Sequence, residues 1–138
     1  MSIPNRCPRN RRPLKTGAAL IEFAVCLPVI MILILGSMEA SSAIFVRQAL
    51  TISAYEGIRE AIRINGTTVN ATSRAQAVLT ARQIRSSTIV FTPANIQTAA
   101  RGSNIVLEVS APYRVNSPFF GNVIADRSTT VRTVMVKE

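Results

Sequence analysis

The chain has 138 residues, a formal net charge of +9, no histidine and two cysteines. That length leaves room for one small domain beside a membrane segment. The absence of imidazole removes the commonest general base and the commonest nitrogen metal ligand, and the part of the chain after Cys26 has no thiolate to form a staple or a metal site.

The charge is uneven. Arg6, Arg9, Arg11, Arg12 and Lys15 put five positive charges and no acid into the first 17 residues, among Pro4, Pro8 and Pro13. A stretch this polar and proline-rich cannot bury enough apolar surface to fold, so residues 1–17 read as a disordered leader. A basic cluster serves either nucleic-acid binding or membrane topology, and here an apolar span follows it directly. The reading is therefore a cytoplasmic leader, with nucleic acid excluded as a partner, and the scarcity of aromatic residues agrees.

From Phe23 to Met38 no residue is charged, a run of 16. About 20 residues are usually needed to span a bilayer. Weakly polar flanks extend the expected transmembrane helix to 18–46, which leaves 47–138 as an extracytoplasmic domain. Glu22 and Glu39 then fall inside the span, about 25 Å apart along a helix and each near an interface. A carboxylate in a membrane helix is costly and reads first as functional. Pro28 removes a backbone donor and crowds the carbonyl of Ala24, which predicts a kink. Cys7 and Cys26 would lie in different phases, so no disulfide joins them.

Past Arg47 the helical pattern continues. Ile44, Tyr55, Ile58 and Ile62 fall on one side at about 100° per residue and are the predicted core stripe. Arg59 and Arg63 each follow a glutamate by three residues, a weakly stabilising spacing. Gly57 interrupts the pattern, and Asn65-Gly66 stops it. Thr67–Asn70 reads as a loop, with Asn70 or Thr72 capping a second helix over about Ser73–Arg85. Three strands are predicted: Thr88–Thr92, stopped by Pro93; Asn104–Ala111, with Ile105, Leu107 and Val109 alternating; and Thr129–Lys137. Between Pro112 and Pro118 lies a loop that Phe119 and Phe120 are expected to anchor. The fold class expected is α+β: a long N-terminal helix, a second helix, and a small antiparallel sheet laid on the long helix.

The junction of leader and span reads Gly17-Ala18-Ala19-Leu20-Ile21-Glu22-Phe23. A lipoprotein cut at Cys26 is disfavoured, because Val25 stands where a small residue is needed and the apolar segment runs on. A signal-peptide cut near Gly36-Ser37 is disfavoured because the chain beyond stays helical. The stretch resembles the type IV prepilin cleavage motif. More narrowly, Gly17-Ala18, Glu22-Phe23, Leu27-Pro28 and Gly36-Ser37-Met38-Glu39 resemble the TadE-like family of tight-adherence (Flp) pilus systems. That resemblance implies a pilin-like fold and a cut between Gly17 and Ala18 by a membrane prepilin peptidase. It also implies pairing of Glu22 with the new α-amine of a neighbouring subunit. Glu22 with Phe23 would then serve processing and assembly, with Glu39 as a second intramembrane carboxylate.

The implied partners are the prepilin peptidase, other pilin or pseudopilin subunits, the inner-membrane assembly platform and the lipid bilayer. The implied location is the bacterial inner membrane, single pass, N-terminus cytoplasmic and C-terminal domain periplasmic, with entry into an extracellular pilus left open. No cofactor is expected. With so few acids after the span and no His or Cys there, the chain reads as non-enzymatic. The alternative is an uncleaved single-pass subunit of an envelope secretion or assembly complex.

Overall fold

The structure is a computed structural model that describes residues 16–119, 121 and 127–138. The leader's arginines, Lys15, Cys7, Phe120 and Asp126 lie outside the described residues. The chain divides into two compact units, 1–34 and 35–138. Helix α1, Thr16–Ile62, runs through both.

In the first unit α1 is exposed all round: Leu20, Ile21, Phe23, Val25, Ile32 and Leu33 all present most of their surface. Among the described residues, α1 is the helix long and apolar enough to cross a membrane, and its apolar window is not buried within the protein. A helix apolar on every side needs lipid or other helices around it. It continues across Pro28. Cys26 is exposed and free.

The second unit is α+β. After α1 come α2 (Thr68–Ala81), β1 (Thr88–Thr92), a 3-10 turn (Ile96–Thr98), β2 (Asn104–Pro112), the single-turn helix α3 (Tyr113–Asn116) and β3 (Ser128–Val136). The strands form an antiparallel meander in the order β1-β2-β3. Val90 pairs with Glu108 and Glu108 with Arg132, which fixes the register across all three. On β2, Ile105, Leu107, Val109 and Ala111 are buried while Asn104 and Glu108 face outward, as the period-2 pattern requires. Sheet, α2 and α1 from Val46 onward share one apolar core.

The predicted stripe on α1 is not the one that is buried. Ile44 and Tyr55 are exposed and Ile62 is only partly buried; of the four, Ile58 alone enters the core fully. The buried face is Val46, Ala49, Leu50, Ser53, Ala54, Gly57, Ile58 and Ala61. It is built largely from small residues, which lets α2 approach closely. Ala71 and Ala75 meet Gly57 there, and the Ser53 hydroxyl donates to the Ala75 carbonyl at 2.9 Å.

Two further expectations change. Helix α2 starts at Thr68, earlier than predicted, because Thr67 is its N-cap: the Thr67 hydroxyl accepts from the Asn70 N–H at 3.1 Å. Neither Asn70 nor Thr72 caps it. Phe119 is about half exposed and does not anchor its loop through its ring. The stop at Asn65-Gly66 is observed: Asn65 takes φ +65°, and the Gly66 N–H donates to the Arg63 carbonyl at 2.8 Å. A side chain at Gly66 would collide with the last carbonyls of α1. Of the expected ion pairs, Glu60 holds Arg63 at 2.9 Å, whereas Glu56 reaches Arg74 of α2 at 3.2 Å.

Candidate functional site

Gly17, Ala18, Glu22 and Phe23 lie on the exposed N-terminal turns of α1. Among the described residues, nothing outside the helix's own backbone stands within 4 Å of where a Gly17 side chain would begin. Glu22 lies four positions after Ala18, a rise of about 6 Å and a turn of about 40° past one full revolution. The Glu22 carboxylate thus sits about one turn from the backbone nitrogen of Ala18, on a helix with no other acid until Glu39. Pro28 lies farther along the same exposed helix.

Glu39 has a different environment. It belongs to the second unit, four residues after that unit begins at Leu35, and it is only 7% exposed. Its carboxylate accepts from the Ser117 hydroxyl and, at 3.3 Å, from the Phe119 N–H. The Tyr113 hydroxyl donates to its main-chain carbonyl at 3.4 Å. One turn on, the Ser42 hydroxyl donates to the Asn116 carbonyl at 3.2 Å. The Asn116 side chain donates to the carbonyls of Arg85 (3.0 Å) and Pro112 (2.9 Å) and accepts from the Arg85 N–H (2.9 Å). Burial, with the hydrogen bond and negative charge of Glu39 adding to it, raises the Tyr113 phenol above its ordinary value of 10.0.

Of the two carboxylates of α1, Glu22 is exposed in the first unit and Glu39 is buried in the second. Ser42, Tyr113, Asn116 and Ser117 were not anticipated. Asn116 and Ser117 read as ordinary loop residues, and the partners that matter here, Arg85 and Glu39, lie 31 and 78 positions away in the chain. Among the described residues, no three His, Cys, Asp or Glu side chains gather closely enough to hold a metal ion.

Residues 17–59 match a family model described as TadE-like protein. The chain carries a TadE-like segment. The match starts at Gly17, takes in Glu22, Phe23, Pro28 and Glu39, and ends at Arg59, before α2 and the sheet. Comparison with curated proteins and with solved structures gives no match. TadE-like proteins are tight-adherence pilus-associated structural proteins with an N-terminal hydrophobic helix, and the family associates in general with pilus assembly components. Helix α1, long and apolar enough to cross a membrane, is consistent with such a helix.

Proposed function

We propose that the chain is a non-catalytic minor pilin or pseudopilin of a tight-adherence pilus, cut between Gly17 and Ala18 by a prepilin peptidase. The observation that carries this reading is the position of the TadE-like segment: it opens on the glycine of the motif, where the helix end is exposed. Residues 1–17 act as a basic cytoplasmic leader, held inside by their charge, and the C-terminal domain is periplasmic.

The span starts at Ala18. The packing of Glu39, Ser42 and Val46 in the second unit favours an end near Leu35 over one at Val46. Residues 18–35 rise about 27 Å as a helix, close to the roughly 30 Å hydrocarbon core.

Cleavage leaves a positive α-amine on Ala18. A bare charge there is costly in lipid, and Glu22 supplies the opposite charge to a neighbouring subunit's amine. The exposed apolar face of α1 then packs on the helices of other pilin subunits, at the inner-membrane assembly platform.

The test is the mature N-terminus. Intact-mass measurement of the membrane-extracted protein, from cells with an active prepilin peptidase, is expected to show a chain beginning at Ala18. Gly17→Val is expected to keep the leader. Retention of residues 1–17 in the unaltered protein would leave the uncleaved envelope subunit as the better account.

A further inference from the structure

We propose that Glu39 is a latch: its carboxylate seats residues 113–119, the described stretch that follows β2, on α1, and does so independently of the sheet. A glutamate only 7% exposed in mid-helix must find donors, since a desolvated carboxylate without them is costly. Its described donors are one hydroxyl, on Ser117, and one main-chain N–H, on Phe119. One side chain thus makes two of the described ties between α1 and this stretch.

The surrounding ties converge on the same turn. Ser42, three residues after Glu39 and so on the same helix face, holds the Asn116 carbonyl, while the Asn116 side chain grips the α2–β1 connection at Arg85. Helix α3 is a single turn and buries no residue fully. It has little apolar packing of its own to hold it down, so its position depends on these polar contacts. The sheet does not depend on them: β2 and β3 pair from Asn104–Val136 to Pro112–Ser128, and the inward residues of β2 are buried. Releasing Glu39 therefore frees residues 113–119 from α1 and leaves the meander folded. This role does not depend on whether the chain is cut at Gly17.

The test is residue-resolved amide hydrogen exchange on the full chain in detergent micelles. Glu39→Ala is expected to speed exchange at the Phe119 N–H at least tenfold, while Leu107 and Val109 of β2 keep their protection. Unchanged Phe119 exchange would overturn the latch, and so would a uniform rise across β2, which would make Glu39 a general stabilising residue. If Glu39→Ala does not fold, Ser117→Ala probes the same contact with the loss of one hydroxyl and is expected to speed Phe119 exchange several-fold. Where both variants fold, the double variant is expected to match Glu39→Ala alone, because both changes break one coupled contact. Multiplicative effects of the two changes would overturn the proposal.

Discussion

Gly57 of α1 and Ala75 of α2 approach so closely that a β-carbon on Gly57 would stand 2.9 Å from that of Ala75. The same β-carbon would stand 2.9 Å from Leu107 Cδ2 and 3.3 Å from the Ala71 carbonyl. The leucine tip can move aside. The alanine β-carbon cannot, because it is fixed to the backbone of α2. Gly57→Ala adds helix propensity worth about 1 kcal/mol but overpacks the crossing at a cost of about 1–3 kcal/mol. A net loss of about 1 kcal/mol is expected, with a larger loss for Gly57→Val. Gly36→Ala is the control, since among the described residues nothing lies within 4 Å of its added methyl; no loss is expected there. Thermal unfolding of the full chain in detergent, followed by circular dichroism, measures all three.

That crossing also explains why the predicted stripe on α1 was misplaced. Ile44, Tyr55, Ile58 and Ile62 are large and share one side of the helix, so hydropathy favours that side. The side that is buried carries Ala49, Ser53, Ala54, Gly57 and Ala61. Their value is that they are small, and that shows only once α2 is in place. The strands needed no such knowledge: alternation on β2 and β-branched runs on β1 and β3 are local signals, and they located all three strands to within a residue at each end. The start of α2 was legible in principle. Thr67 precedes Thr68-Val69-Asn70 as a helix cap should, but the polar run there looks equally like a loop. The family match opens at Gly17 and takes in Glu22 and Phe23, and that likeness was legible because the motif is contiguous. The setting of Glu39 was not, since its donors come from the far end of the chain.

The Lys137 ammonium donates to three carbonyls, of Ile96 at 2.7 Å, Ala99 at 2.9 Å and Gln97 at 3.4 Å. It ties the residue after β3 to the 3-10 turn. Nearby, the Lys137 N–H donates to the Ser103 carbonyl, and the Gly102 N–H, at φ +80°, donates to the Lys137 carbonyl, both at 2.9 Å. Lys137→Met keeps the apolar stem and removes the charge. The loss expected is about 1–2 kcal/mol, the scale for hydrogen bonds from a charged group at a half-buried position. Lys137→Arg is expected to recover only part of it, because a planar fork does not fit three converging carbonyls as an ammonium does. Denaturant midpoints of the three proteins, compared at equal slope, check this.

Tyr113 gives a pH dependence with a definite sign. Its folded-state value is raised above 10.0, first by burial and then by Glu39. Below pH 10 the phenol is neutral in both folded and unfolded chains and its contribution is intact. As pH rises past 10 the unfolded chain loses its proton first, so stability falls through the folded-state value. In a Tyr55→Phe background Tyr113 is the sole tyrosine, and ultraviolet phenolate absorbance follows it directly. The midpoint is expected above 10. Glu39→Gln is expected to lower it without restoring the ordinary value, because burial, the larger cause, remains. An unchanged midpoint in Glu39→Gln would separate the two residues energetically.

Glu22 yields the prediction closest to function. A leucine in its place removes a charge from the apolar stretch, an exchange that favours membrane insertion. If Glu22 served only to mark the end of the span, Glu22→Leu would be neutral or beneficial throughout. If its carboxylate answers the amine of a neighbouring Ala18, the variant inserts and is cut but leaves that amine unpaired in a greasy interface. The expected result is normal membrane recovery, a mature mass beginning at Ala18, and at least a tenfold fall in sheared surface pili. Glu22→Asp keeps the charge on a shorter arm and is expected to restore part of the yield. Full piliation by Glu22→Leu, with processing intact, would show that subunits assemble without this charge pair and would return Glu22 to the status of a boundary residue.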